Sequence, residues 1–547
     1  MSLLLFEQDW RDVWEGAAPT EPVGAVFTKP EVTEFILDLA GYQPTLSRLA
    51  DQRLLEPSCG DGAFLAASVL RLLDSERHHR GKVAWSDGQL VTALKACDVN
   101  LGFVTQARGR IERLLIQEGC PGERARILAN VWVEHADFLL AHWRERFDFV
   151  IGNPPYVRIE DLPQRVMQRY RELFPTCVDR ADLYIAFFEQ GLHLLSDGGQ
   201  LAFICANRFV KNQYGRSLRE LISRQYRVRF FLNLEHTQPF VSDVSAYPCI
   251  VVLDRETGKE TRAATLDRVD GSTLRSLLDG YSSEWSVFPS WYPEGAPWVA
   301  TNKGAFDQHE ALAEQYPLLE DSAEQTRVGI GVATGADDIF VRPSKEASVE
   351  DYCQLPLIMA KDVTAESLNW SGHYLINPYK SSPDGGFHSM SDTPGLAAYF
   401  EHHRERLEKR HTARKSPEMW FRTIDRVSYE LTGTPKLLLP DIQNGGVVGW
   451  DAGNYYPHHN LYWITSLGWN LHALQAVLRS TFVYNQVRAV SVQMRGGAVR
   501  YQAQVLRKLR VPLASSLSSD LVHRLAAVAR SINQTEIDTV AAEAFHV

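Results

Sequence analysis

Short apolar runs alternate with longer segments of helical spacing through the first half of the chain. Phe35, Ile36 and Leu39 recur at helical intervals after Pro30, which is tolerated in a helix's first turn, and Gly41 ends the pattern. Arg53-Leu54-Leu55 then leads as a strand into a glycine-rich turn, and another apolar helix follows. Residues 91–97 read as a second strand ending at Asp98, with a helix expected around residues 102–116. Val131-Trp132-Val133 runs to Asp137-Phe138, and Phe147–Gly152 is aromatic and β-branched, a short buried strand. Residues 182–195 place Leu183, Ala186, Phe187 and Gly191 on one helical face, and 200–206 form the next strand. Residues 228–234 and 250–253 are expected to complete the sheet as a hairpin-like edge. Strands and helices in this alternation predict an α/β fold with a parallel, doubly wound sheet.

Beyond about residue 260 the alternation weakens, and Trp, Tyr, Pro and Gly become prominent. This divides the chain into a leader (1–22), an α/β domain (23–260) and a C-terminal domain (261–547). At 547 residues each large part can bury its own core. The first residues lack a basic segment followed by a long apolar one, and no apolar stretch is long enough to span a bilayer, so neither a signal peptide nor a membrane anchor is expected. The seven cysteines are scattered, odd in number and without a C-x-x-C pair, which suits free buried thiols in a reducing cytoplasm. Neither they nor the paired histidines (78–79, 402–403, 458–459) have metal-ligand spacing, and no metal is expected.

The chemistry concentrates in Asn153-Pro154-Pro155-Tyr156. Two prolines cannot donate ladder hydrogen bonds, so the strand must stop and the chain must leave the sheet. That puts an amide, two stiff carbonyls and an aromatic ring at a strand's carboxyl end, the edge where open α/β sheets bind ligands. An amino group there could donate to the Asn153 side-chain oxygen and the Pro154 carbonyl while its ring stacks on Tyr156. Its nitrogen lone pair would be freed from ring conjugation and become nucleophilic. A strand followed by a proline-rich turn is the alternative reading of the same four residues. The Gly60-Asp61-Gly62 turn lets backbone approach a ligand at the top of the first strand, but it lacks the G-x-G-x-x-G spacing and the Lys-Ser/Thr of a P-loop. Asp98 stands where a carboxylate can accept from a ribose diol, and Asp137 where one can accept from an exocyclic amine, with Phe138 on an adenine face. Alone, a carboxylate at a strand end is more often a helix N-cap, but three in order at three successive strand ends are not expected by chance.

In this order the motifs resemble the gamma-class (Taq-type) S-adenosylmethionine-dependent N6-adenine DNA methyltransferases of restriction–modification systems. Residues 25–30, with Thr28, are similar to that family's first cofactor motif; Glu56, Pro57, Ser58, Cys59, Gly60 and Gly62 are similar to the second. Asp98, Asp137 and Phe138 match the ribose and adenine contacts, Asn153 closes the cofactor pocket, and Asp182-Leu183-Tyr184 resembles a motif that adds a wall to it. Phe240 sits where the family carries an aromatic that stacks on a flipped base. One departure is Ala206-Asn207, where Pro-Asn is common. The resemblance implies a Rossmann-like class I methyltransferase sheet with helices on both faces, a C-terminal mixed α+β target-recognition domain, S-adenosyl-L-methionine as cofactor and double-stranded DNA as partner. It implies methyl transfer to adenine N6 by Asn153, Pro154, Pro155, Tyr156 and Phe240. A separate cognate endonuclease or other defence proteins would be its partners in a restriction–modification system.

The net charge of −10 argues against a nucleic-acid partner, but its distribution argues for one. No Asp or Glu occurs between Asp451 and Asp520, while Arg479, Arg488, Arg495, Arg500, Arg507, Lys508 and Arg510 do. Arg495, Arg500, Arg507, Lys508 and Arg510 are therefore candidate DNA contacts, the alternative being a solvated helix face. Three rival functions share parts of this pattern. A protein-glutamine methyltransferase would not need the long Trp- and Tyr-rich tail. A bifunctional restriction enzyme would need a nuclease domain and a P-D…(D/E)-x-K pattern, which Pro440-Asp441 does not continue. A non-catalytic DNA-binding module would not need the intact Asn153–Tyr156 and Gly60–Gly62 elements.

Overall fold

The computed structural model describes residues 9–15, 25–242, 247–256, 259–278, 284–292, 294–298, 307, 311–321, 323–364, 366–380, 385–491 and 498–546. They fall into two compact units, Met1–Phe306 and Asp307–Val547.

The first unit is built on a nine-stranded sheet. Its strands are β1 (Leu54–Glu56), β2 (Leu94–Asp98), β3 (Val133–His135), β4 (Phe147–Gly152), β5 (Leu195–Ala206), β6 (Arg227–Asn233), β7 (Pro248–Asp254), β8 (Thr261–Thr265) and β9 (Ser286–Phe288). They lie in the order β3-β2-β1-β4-β5-β7-β6-β8-β9. The strands from β3 to β5 are parallel, and β7 runs antiparallel between β5 and β6. This is the mostly parallel sheet with helices on both faces that the motif order implied. Alternating side chains serve two faces. Ala202 and Ile204 of β5 join a core with the helices Pro30–Leu39, Ala63–Arg80, Leu101–Gln117 and Gly122–Trp132. On the other face Gly191, on the helix Tyr184–His193, lies so close to Leu201 and Val150 that a Cβ there would meet Leu201 Cδ1 at 2.7 Å.

The sheet does not stop at residue 260. β8 pairs parallel with β6, and β9 closes antiparallel on β8. Trp285 packs on Phe230, and Trp291 and Trp298 pack on Phe231, with ring centroids 5.4–6.0 Å apart. Trp285, Trp291 and Trp298, three of the tryptophans that marked a change in composition, therefore pack on β6 within the first unit, which extends to Phe306.

The second unit is mixed α+β. Arg327–Ile330, Leu461–Thr465, Lys436–Pro440 and Gly449–Asp451 form one antiparallel sheet in that order. Val341–Arg342, Tyr374–Ile376, Gln354–Ile358 and Tyr456–Pro457 form another. The helices Leu471–Arg479, Thr481–Val490, Ser519–Val528 and Gln534–Ala544 pack with the first sheet around one core. Across that sheet Lys436 pairs with Asp451, Nζ to Oδ2 2.9 Å, with both side chains at 0% exposure. All seven cysteines are buried and free. Among the described residues no helix is long and apolar enough to cross a membrane.

Candidate active site

The strand order reverses between β1 and β4, so their carboxyl ends diverge and leave a crevice. A cavity of about 300 Å³ opens there. The turn after β1 begins it. Gly60 and Gly62 take φ of 50° and 80°, the left-handed region that glycine enters without strain. Gly62 also lies against the Leu101–Gln117 helix, where a Cβ would stand 3.0 Å from Ala107. Asp98 fastens this turn to the next: its carboxylate accepts from the backbone N–H of Gly60 at 3.0 Å and of Asn100 at 2.8 Å. Ser58 Oγ donates to the Asn153 carbonyl at 3.0 Å, joining the ends of β1 and β4.

Two polar atoms at this junction are buried without a partner, Glu56 Oε2 and Asn153 Oδ1. Burial, and after it the nearby Asp98 and Asp61, push the Glu56 carboxyl well above the usual range. Burial likewise raises Asp98. Asn153 is held from its other end: Nδ2 donates to the Val26 carbonyl at 2.7 Å and to Thr28 Oγ1 at 3.2 Å. That assignment of the amide leaves Oδ1 with no donor. The segment carrying Thr28 is itself pinned by antiparallel pairing with Phe240, through Lys29 N to Pro239 O and Val241 N to Phe27 O, each 2.9 Å.

Residues 110–240 match the family model described as Eco57I restriction-modification methylase. The chain is 37% identical over 543 residues to the type II methyltransferase M.BstVI of Geobacillus stearothermophilus, covering 96% of each. It is 40% identical over 520 residues to the type II methyltransferase M.PaeR7I of Pseudomonas aeruginosa, covering 93% of this chain and 89% of that one. The chain belongs to the type II restriction–modification methyltransferase family. Its activity is site-specific DNA methylation. Its fold is also similar to the type IIL restriction-modification enzyme MmeI solved with DNA, at a TM-score of 0.62 and 13% identity, over 98% of this chain and 76% of that one.

The methyltransferase brings most of the residues singled out in the sequence to one cavity: Thr28, Glu56, Pro57, Ser58, Cys59, Gly60, Asp98, Asp137, Phe138, Asn153, Pro154 and Pro155 all line it. Four do not. Gly62 shapes the turn from behind. Asp182 turns its carboxylate to Tyr214 Oη at 2.7 Å, and its neighbour Leu183 lines the cavity in its place. Tyr156 and Phe240 meet each other at 82° with centroids 5.8 Å apart, and Phe240 is only 2% exposed. Tyr156 Oη is buried without a partner, and burial holds its phenol well above the usual range.

Asp137 also departs from expectation. Oδ2 accepts from Trp14 Nε1 at 2.8 Å and Tyr170 Oη at 2.5 Å. Oδ1 accepts from the backbone N–H of Leu139 at 2.8 Å and of Leu140 at 3.2 Å. Four protein donors saturate the carboxylate that the sequence reading offered to an exocyclic amine. Trp14 and Tyr170 themselves line the cavity, and neither was foreseen. The signal for Trp14 was present: Trp10, Val13 and Trp14 stand at helical spacing within what read as a leader, and all three are buried.

In the second unit much of the basic stretch is engaged by groups of the same chain. Arg495 lies outside the described residues. Arg500 pairs with Asp441, donating from Nε to both carboxylate oxygens at 3.2 Å. Arg507 reaches Glu320 at 3.1 Å and the Val328 carbonyl at 2.8 Å. Arg510 donates to the Tyr316 carbonyl at 3.0 Å, and Arg479 is buried against the Ala529 and Ser531 carbonyls. The acidic partners absent from the local sequence arrive from distant segments. Lys508 remains exposed. Elsewhere Asp337, His458 and His459 gather, with His458 Nε2 3.1 Å from Asp337 Oδ2, a cluster that the histidine spacing did not announce.

Proposed function

We propose that this DNA methyltransferase is a gamma-class enzyme that transfers a methyl group from S-adenosyl-L-methionine to N6 of an adenine held out of the duplex. The observation that carries the reading is Asn153 Oδ1, buried, unpartnered and set on the cavity by an amide whose other end is fixed. An acceptor in that state suits an amino group better than a carbonyl or a carbon. It takes one N–H, and the Pro154 carbonyl is offered for the second, which concentrates the lone pair on the nitrogen. The amine attacks the methyl carbon, a new N–C bond forms as the methyl's bond to sulfur breaks, and the extra proton leaves the product nitrogen for solvent. No covalent bond to the protein is needed, and catalysis is positioning plus hydrogen bonding.

The cavity fits the cofactor by charge as well as by place. The bound group would supply an electrophilic methyl on a cationic sulfonium. Glu56 and Asp98, both raised by burial, gain from a cation beside them. Asp98 would serve the ribose, with Thr28, Pro57, Ser58, Cys59 and Gly60 closing around the rest and Phe138 facing the purine. An amine inside a duplex cannot reach this depth, so the base leaves the stack at a cost of about a few kcal/mol. Tyr156 and Phe240 would offset roughly 1–3 kcal/mol per aromatic face, once their mutual edge-to-face contact opens. The second unit would read the target, with Lys508 among the phosphate contacts and a separate endonuclease sharing the site.

Duplex DNA incubated with the enzyme and methyl-labelled cofactor, then digested to nucleosides, tests this. Label in N6-methyladenine is expected. Label in N4-methylcytosine or a C5-methylated base, or none in DNA, overturns the assignment.

A further inference from the structure

The Trp10–Trp14 helix is joined to the cavity by its last residue. Asp9 caps it, accepting from Arg11 N at 3.0 Å, and Trp10 packs edge-on against His135, the last residue of β3, with centroids 5.1 Å apart. Trp14 is 4% exposed, lines the cavity beside Asp137 and Phe138, and donates its indole N–H to Asp137 Oδ2. This contact joins residues 123 positions apart. Asp137 in turn holds the backbone of Leu139 and Leu140, the residues that follow Phe138.

We infer that Trp14 is a positioning residue of the cofactor site. Through Asp137 it fixes the loop that presents Phe138, and its own ring forms a wall of the purine subsite. The N-terminal helix is on this account a working part of the cofactor pocket. The saturation of Asp137 explains why: a carboxylate with four protein donors organises the loop and leaves recognition of the purine to the aromatic walls around it. Tyr170, on the helix Gln164–Leu173, holds the same oxygen from a second side and would act in the same way. The inference rests on the cavity's being the S-adenosylmethionine site.

Calorimetric binding of S-adenosyl-L-methionine to the full-length wild type, Trp14→Phe and Trp14→Ala tests it, with methyl-transfer kinetics on the same preparations. Trp14→Phe keeps a ring and removes the N–H; Trp14→Ala removes both. Cofactor dissociation constants should rise roughly threefold or more for Phe and tenfold or more for Ala, and the KM for cofactor should rise in the same order. A structural role alone would lower the folded fraction and kcat without this graded loss of affinity, and that result overturns the inference. Unchanged or tighter binding in Trp14→Ala overturns it too, because Trp14 would then be a bystander or a plug. If the wild type itself binds no cofactor, the reading of the cavity fails instead.

Discussion

The cavity of the first unit and the basic stretch of the second hold polar groups in opposite states. At the cavity, Glu56 Oε2 and Asn153 Oδ1 are buried and unpartnered. Along residues 479–510, Arg500, Arg507 and Arg510 end on carbonyls or carboxylates of the same chain. Arg479 does so through its two terminal nitrogens but not Nε, and Arg488 is exposed beside the Tyr484 ring. An unsatisfied buried polar atom costs about 1–3 kcal/mol, and such a cost persists where a ligand relieves it. A satisfied cation carries no such cost and is part of the scaffold. The orphaned acceptors mark a site, whereas the paired arginines hold a fold together.

This contrast can be tested first where it should be strongest. Asp451→Ala would leave Lys436 charged in a dry sheet, and breaking a buried pair costs about 3–5 kcal/mol. Denaturant unfolding should show that loss in the second unit; a change below about 1 kcal/mol would mean the pair is not what holds this sheet.

Glu56→Gln should act in the reverse direction. A carboxyl raised by burial stays protonated in the folded chain after it ionises in the unfolded one, so the fold binds more protons above pH 4.5. Stability of the ligand-free enzyme should therefore fall as pH climbs from 4.5, and the Gln variant should lose part of that slope and melt higher at neutral pH. Its affinity for S-adenosyl-L-methionine should drop several-fold. A variant that melts lower and binds equally well would show that Glu56 is structural.

The smallest effects belong to the basic stretch. Lys508→Ala should lower the slope of log affinity for DNA against log salt by about 0.9 if it contacts one phosphate. Arg500→Ala and Arg507→Ala should leave the slope unchanged while costing roughly 0.5–1 kcal/mol of stability, as partly exposed ion pairs do. Equal slope losses in all three would return the whole stretch to the DNA interface.

What could be read in advance follows the same division. Glu56, Gly60, Asp98 and Asn153 sit within a few residues of a strand end, so the local pattern that makes the strand also places the side chain. The order of those strands then brought them together. Trp14 and Tyr170 meet Asp137 across long separations, and only the folded sheet sets that meeting. The same holds for Asp441 and Glu320, which reach their arginines across 59 and 187 positions of chain. Trp285, Trp291 and Trp298 misled for a related reason. Aromatic enrichment reports burial, and the strands of an existing sheet need cover as much as a new domain needs a core.

The account depends most on Asn153 acting through its side-chain oxygen. Single-turnover methyl transfer at saturating cofactor and DNA, compared between Asn153→Ala and Asn153→Asp, isolates that atom. The Ala variant loses the acceptor and should slow by about 10²–10³-fold, the scale seen when one positioned hydrogen-bonding group is removed, with cofactor affinity nearly intact. The Asp variant keeps an oxygen there and should recover at least tenfold of that loss. Rates equally low in both variants, or cofactor binding lost alongside the rate, would contradict the role assigned to Asn153.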